Sequence, residues 1–319
     1  MQKKKKKSAY IDYDYEAAYQ KSLTDLQEDN LKRMLEEGKV KSLYATKEIK
    51  SGNQLEIEIF PEFTKQQREQ IPDEGKIEKR RQAQKNLNNR NSRKMCERLI
   101  NANFGDGDIW ATFTYTDENA PADMKTAQRD MQNFIRRVNY QRKKRGLPNA
   151  QYIYVTECSP KGRWHHHIVM DGKLDLDTTE KCWNLGRRNN VRRIAADENG
   201  LLGLSLYITK DKTNEQRQIG KYQKAWKSSR GLKKPIERKN HYKFKQRDVD
   251  DVVSGKATIA AKLSKWYSGY AFTQAEIRYN TFNGRFYIYA RMRVTETETK
   301  SKSKGTGKNG NHKSGNIRR

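Results

Sequence analysis

The most informative segment of the sequence is Arg163-Trp164-His165-His166-His167-Ile168-Val169-Met170. Its apolar end is typical of a β-strand. Because side chains alternate between the two faces of a strand, His165 and His167 project together, whereas His166 points to the other face. The chain has 5 histidines, and two of them on one strand face predict a pair of metal ligands.

The residues before this strand predict a carboxylate beside the two imidazoles. If Pro160-Lys161-Gly162 forms a hairpin loop, Glu157 lies opposite His165 and diagonal to His167. Directly opposed side chains in an antiparallel pair are about 5 Å apart. The three residues then form a site with open positions for water or substrate. Its mixed nitrogen and oxygen donors suit Mg²⁺, Mn²⁺ or Co²⁺, and Zn²⁺ could also bind. The alternative is that these histidines are structural or surface residues.

A candidate nucleophile follows further along the chain. Residues 201–210 predict a helix, on which Tyr207 and Lys210 are neighbours at i and i+3. A phenol with a pKa near ~10 is a poor nucleophile alone. A metal ion that coordinates the scissile phosphate offsets developing charge, and a lysine beside the ring favours the phenolate. The alternative is that Tyr207 packs in the core and Lys210 is solvated.

The composition indicates a nucleic-acid partner. The formal net charge is +28 and 33% of the residues are charged. Such an excess of positive charge attracts polyanions through counterion release. No apolar run approaches the ~20 residues of a membrane span, and the N-terminus lacks the apolar stretch of a secretory signal. The three scattered cysteines are typical of free thiols in a reducing cytoplasm.

The pattern along the chain predicts three regions. They are a partly disordered, basic N-terminal extension over 1–85, a folded domain over 86–294 and a disordered basic tail over 295–319. The expected elements are strands at 55–60, 109–115 and 152–157, helices at 78–103, 124–145 and 248–267, and a C-terminal hairpin with the turn Asn283-Gly284.

Four segments together resemble the HUH endonucleases, specifically the rolling-circle replication initiators of phages and plasmids. They are the strand at 110–115, the carboxylate Glu157, the histidine motif at 163–169 and the Tyr-x-x-Lys motif at 207–210. One residue departs from the family pattern. His166 stands where the family has an aliphatic or aromatic residue, but it faces away from the predicted ligands.

The resemblance implies an α+β fold, with a central antiparallel β-sheet flanked by helices and built like an RNA-recognition (ferredoxin-like) domain. It implies that Glu157, His165 and His167 bind Mg²⁺ or Mn²⁺. Tyr207, aided by Lys210, would attack single-stranded DNA at a replication origin. The expected products are a 5′-phosphotyrosine ester and a free 3′-OH that primes replication. Host helicase and polymerase in the bacterial cytoplasm are the expected partners, since the sequence has no recognisable helicase P-loop.

Other functions stay open from the sequence. A plasmid relaxase or a single-tyrosine transposase would share this chemistry, and a phosphoesterase would use water instead of Tyr207. A basic, non-enzymatic nucleic-acid-binding protein would need no catalytic residue. Candidate DNA contacts are basic or aromatic side chains: Arg163, Arg187, Arg188, Arg192, Arg193, Tyr222, Trp226 and Trp266.

Overall fold

A computed structural model describes residues 10–11, 42–64, 77–159, 161–187, 189–196, 201–208, 226–280 and 284–295. In chain order, the strands are β1 (Tyr10–Ile11), β2 (Ser42–Ser51), β3 (Gln54–Thr64), β4 (Ile109–Thr114), β5 (Tyr152–Cys158), β6 (Trp164–Met170), β7 (Asn190–Arg193), β8 (Trp226–Ser228), β9 (Ile236–Asn240), β10 (Tyr270–Asn280) and β11 (Arg285–Val294). The helices are α1 (Ile77–Asn103), α2 (Met124–Lys144), α3 (Leu176–Lys181), α4 (Leu202–Ile208), α5 (Gln246–Val253) and α6 (Ile259–Ser264), and a 3₁₀ turn spans Asp117–Asn119.

The histidine strand β6 lies at the centre of a five-stranded sheet ordered β7-β4-β6-β5-β8. All neighbouring pairs are antiparallel. One face packs on α2 and α3 through a core that includes Phe113, Phe134 and Trp183. The opposite face packs on α1 and α4 through a core that includes Ile100 and Ile208. This arrangement confirms the predicted α+β class, with an antiparallel sheet flanked by helices.

A second antiparallel sheet was not predicted from the sequence. Its order is β10-β11-β3-β2-β9, with β1 paired to β3. Helices α5 and α6 cover one face, where Ile57, Ile288, Val249 and Leu263 share a core. The strand predicted at 55–60 is part of β3, which pairs with β11 of the predicted C-terminal hairpin. The predicted domain boundary at residue 86 falls inside α1. It separates β2 and β3 from β11, although β3 pairs with both β2 and β11.

The helix predicted over 248–267 is two helices in the structure. Gly255 follows α5 with φ of 77°, a left-handed conformation that ends a helix and that glycine adopts without a Cβ penalty. Thr258 then caps α6, since its hydroxyl oxygen accepts a 3.2 Å hydrogen bond from the backbone N–H of Ala261. Both helices nevertheless face the same core.

Helix α1 lies between the two sheets and contacts both. Ile100 is buried against the first sheet, whereas Arg98 donates two 2.8 Å hydrogen bonds to the Glu56 carboxylate on β3. Burial alone would raise the pKa of Glu56, but its bonds with Arg98 and the positive charge hold that pKa below its ordinary value. An Arg291–Glu97 ion pair at 2.7 Å adds a second link. Helix α1 therefore fixes the second sheet against the sheet that bears the histidines.

Candidate active site

The β5–β6 hairpin has the register expected from the sequence. Glu157 is the cross-strand partner of His165, and Val155 is the partner of His167. The backbone N–H of Ser159 donates to the carbonyl of Arg163 at 2.8 Å, which closes the loop. Gly162 in this loop has φ of 76°, a conformation that favours glycine.

This register brings the three predicted metal ligands together. One ligand atom from each of Glu157, His165 and His167 lies within 4.8 Å of the other two. Nε2 of His165 is 3.5 Å from Oε2 of Glu157, and the two imidazole centroids are 5.0 Å apart. Glu157 and His167 are buried, while His165 is half-buried. Two nitrogen donors and one carboxylate at this spacing suit a single divalent cation.

Thr112 on β4 contacts one of these candidate ligands. Its Oγ1 lies 3.0 Å from Nδ1 of His167, its cross-strand partner. A metal-binding imidazole usually donates its other N–H to an oxygen acceptor, which fixes both the tautomer and the ring orientation. Thr112 can accept that bond, so Nε2 is the nitrogen of His167 that would face a cation. The sequence did not identify Thr112, because the β4–β6 register depends on pairing between residues that are 55 positions apart.

The predicted nucleophile lies next to His167. The rings of Tyr207 and His167 meet edge to face, with centroids 5.2 Å apart and an interplanar angle of 76°. Trp110 contacts both, since it stacks on His167 at 5.5 Å and 4° and meets Tyr207 at 5.8 Å and 80°. Tyr207 is 46% exposed, so its side chain is accessible from solvent. Lys210, its predicted helper, lies outside the described residues.

His166 occupies the opposite face of the sheet, as predicted. It is fully buried, its Nδ1 lies 2.9 Å from Thr156 Oγ1, and its Nε2 lies 2.7 Å from the Tyr115 hydroxyl. Burial lowers the pKa of His166 well below its ordinary value, so the ring is neutral at physiological pH. The middle histidine therefore links its own strand to β5 and to the end of β4, behind the site.

A cavity of about 660 Å³ opens beside Tyr207, between β7 and α4. Trp110 and Thr112 form part of its lining, together with Asn190, Arg192 and Leu204. Its mixed apolar and basic lining distinguishes it from the neighbouring cluster of Glu157, His165 and His167.

The other predicted DNA contacts have different positions. Arg193 donates to the backbone carbonyls of Gly107, Gly172 and Leu174, so its guanidinium has a structural role. Trp226 donates to Ser92 on α1. Trp266 is 45% exposed and meets Tyr242 edge to face at 6.0 Å, just beyond the end of α6. Arg188 and Tyr222 lie outside the described residues.

Residues 108–245 match the family model described as Replication-associated protein ORF2. Over these residues, which are less than half of the chain, the sequence is similar to that family. The family consists of rolling-circle replication initiators, so the predicted resemblance to such initiators is confirmed. The match supports a role in the initiation of rolling-circle replication.

The matched segment covers all five strands of the histidine sheet and helices α2, α3 and α4. Strands β1, β2, β3, β10 and β11 of the second sheet lie outside it. No curated protein and no solved structure gave a significant match to the chain. Within the described part of the chain, no helix is long and apolar enough to cross a membrane.

Proposed function

We propose that this protein nicks and rejoins single-stranded DNA at a replication origin through a covalent 5′-phosphotyrosine on Tyr207, and thereby initiates rolling-circle replication. The main support is one juxtaposition. The Tyr207 ring lies 5.2 Å from the His167 ring, and His167 belongs to the cluster with Glu157 and His165. An accessible phenol next to a metal-ligating group is what tyrosine-based phosphoryl transfer requires.

Glu157, His165 and His167 would hold the cation, and their nitrogen and oxygen donors suit Mg²⁺ or Mn²⁺. When bound, such an ion polarises a phosphoryl oxygen and neutralises charge that develops on the scissile phosphate. Thr112 keeps the His167 ring oriented for this role. Trp110 packs against both rings and fixes the position of Tyr207 relative to His167.

The proposed reaction is a reversible transesterification. The phenolic oxygen of Tyr207 forms a bond to phosphorus as the bond from phosphorus to the 3′ oxygen breaks. The phenol loses its proton, and the departing 3′ oxygen gains one. The free 3′-OH primes synthesis by a host polymerase, after strand separation by a host helicase in the bacterial cytoplasm. Because the ester retains the energy of the broken bond, the reverse attack rejoins DNA ends without ATP.

Lys210 is proposed to favour the phenolate. On the helix that the sequence predicts over 201–210, residues at i and i+3 are neighbours, so Lys210 would lie near Tyr207. Its positive charge would then stabilise the deprotonated phenol before attack.

The test uses covalent capture. The full chain is incubated with a randomised single-stranded DNA library and Mn²⁺, and products are separated on a denaturing gel. We expect a protein–DNA band that Tyr207→Phe abolishes. Tyr140→Phe is the matched control, because Tyr140 is an exposed tyrosine on α2, on the other face of the sheet. Cleavage that survives Tyr207→Phe without a covalent band would identify water as the nucleophile and overturn the proposed mechanism.

A second variant separates catalysis from passive binding. In the double variant His165→Ala, His167→Ala, the covalent band should disappear while salt-sensitive DNA binding largely remains. Phosphate contacts by lysine and arginine dominate that binding. Equal loss of both properties would show that the histidines are structural. DNA binding by the wild type without any cleavage would instead favour a non-enzymatic binding protein.

A further inference from the structure

We infer that the cavity between β7 and α4 is a nucleotide subsite, which accepts one unpaired base next to the scissile phosphate and holds a neighbouring phosphate through Arg192. This role deepens the proposed function and depends on nicking by Tyr207. It assigns a substrate-reading role to Asn190 and Arg192.

The position of the cavity supports this inference. The sheet order β7-β4-β6 places the cavity one strand further from the histidines than β4. Asn190 is the cross-strand partner of Thr112, and Arg192 is the partner of Trp110. Partners in a sheet share a face, so Asn190 and Arg192 lie on the same face as His167. Single-stranded DNA that is bound at Tyr207 and extends toward the β7 edge of the sheet would therefore pass directly over this cavity.

The chemistry of the lining matches an unpaired nucleotide. Leu204 offers an apolar surface to a base, which apolar side chains bind through its π-face. Trp110, which is almost fully buried, contributes to the same lining. The Asn190 amide provides both a hydrogen-bond donor and an acceptor for a base edge. The exposed Arg192 guanidinium suits a phosphate. The volume of about 660 Å³ falls in the range of about 300–1,000 Å³ that is typical of ligand sites.

The cavity would also make the enzyme selective for single strands. A base in a duplex is stacked and paired, so it would have to leave the helix to enter a lateral cavity, and extraction of a base from the stack is unfavourable. An unpaired base avoids most of this cost. The subsite therefore predicts base selectivity at one position next to the nick, and a loss of that selectivity when the cavity is altered.

The test is to sequence the DNA fragments of the library that the protein captures covalently. With the wild type, we expect a base preference at a position flanking the nick, and Asn190→Ala should relax the preference at that position alone. Arg192→Gln should weaken binding of oligo(dT). It should also reduce the slope of log K against the logarithm of the salt concentration by about 1. Gly203→Trp places a bulky ring in the cavity one turn before Tyr207, and should weaken oligo(dT) binding about 5- to 150-fold, the contribution of one stacked base.

The matched control is Lys144→Gln, which removes one positive charge from the end of α2 on the opposite face of the sheet. Unchanged base preference in Asn190→Ala, with Arg192→Gln indistinguishable from Lys144→Gln, would overturn the subsite but leave the nicking function intact. If the wild type captures no DNA, the nicking function fails. In that case oligo(dT) binding still tests the subsite. The subsite requires Arg192→Gln and Gly203→Trp to bind oligo(dT) more weakly than Lys144→Gln does. Arg192 lies exposed on an edge strand, so its variant remains informative if Gly203→Trp does not fold.

Discussion

Thr112 on β4 lies 3.0 Å from Nδ1 of His167 on β6, so one strand orients a metal-ligand candidate that its neighbour provides. Replacing Thr112 with valine retains the shape but removes the hydroxyl. Loss of such an outer partner typically weakens metal affinity about 10- to 100-fold. We expect Thr112→Val to weaken Mn²⁺ binding by this factor, as measured by isothermal titration calorimetry.

Thr112→Ser is the control, because serine retains the hydroxyl and should bind Mn²⁺ within a few-fold of the wild type. Equal affinity of the valine variant and the wild type would show that the bond to His167 does not orient the ligand. A lower melting temperature in both variants would instead point to a general effect on packing.

Much of the candidate site could be predicted because it depends on local geometry. Alternation along one strand places His165 and His167 on the same face, and a short loop sets Glu157 opposite His165. Both rules hold within a stretch of about a dozen residues. The helical segment with Tyr207 could also be predicted, but its contact with His167 could not, because no local rule fixes how α4 packs on the sheet.

The second sheet could not be predicted because its pairings are distant in sequence. The alternation from Leu55 to Phe60 indicated a strand, but not its partner β11. Glu56 has the periodicity of a solvent-facing residue, yet α1 covers it and Arg98 neutralises it. Likewise, Trp110 and Thr112 were recognised as strand residues only. Their contacts with His167 follow from the β4–β6 register, which is a tertiary property.

The Glu56–Arg98 pair makes stability depend on pH. In Glu56→Gln, Arg98 loses its closer acidic partner. Among the described residues of β3, Glu58 then remains as an acidic partner, with its Oε1 3.6 Å from Arg98 Nη2. Breaking a buried pair costs about 3–5 kcal/mol, and we expect the lower end of this range at neutral pH. The folded-state pKa of Glu56 is lowered relative to an unfolded value near ~4.3. The carboxylate therefore stabilises the fold above that pH, and its contribution is lost as the pH falls through the folded pKa.

Urea unfolding at a series of pH values measures this effect. The difference between the wild type and Glu56→Gln should narrow under acid conditions. Glu118→Gln, an exposed change in the 3₁₀ turn, should show a difference within about 0.5 kcal/mol throughout. A pH-independent difference for Glu56→Gln would contradict an ionised Glu56 in the folded protein.

Gly186 allows the loop after α3 to approach β4. A Cβ at this position would lie 1.9 Å from the carbonyl oxygen of Thr114, which also accepts a 2.7 Å hydrogen bond from Trp183. Gly186→Ala must displace backbone, so we expect a loss of about 1–3 kcal/mol in the free energy of unfolding. Gly105→Ala is the control, since no atom lies within 4 Å of its added Cβ. Equal urea midpoints for the two variants would contradict this close approach.

Trp110 is expected to control the rate of covalent capture more than metal binding. Its ring stacks on His167 at 5.5 Å and meets the edge of Tyr207 at 5.8 Å, and it is almost fully buried. Trp110→Leu leaves space on the side of both rings, so the phenol can move relative to the metal ligands. A misplacement of about 1 Å can reduce a rate about 100-fold. We expect formation of the Tyr207–DNA adduct to slow by about 10- to 100-fold, with Mn²⁺ affinity reduced only a few-fold.

Rapid-quench kinetics at saturating Mn²⁺ separate these two effects. Trp110→Phe retains an aromatic ring that can stack on His167, and it should recover most of the adduct rate. If Trp110→Leu loses Mn²⁺ affinity and adduct rate in the same proportion, Trp110 supports only the metal ligands and does not position Tyr207. If Trp110→Phe and Trp110→Leu are equally slow, ring stacking is not the property that matters, because both variants fill less volume but only one retains an aromatic face.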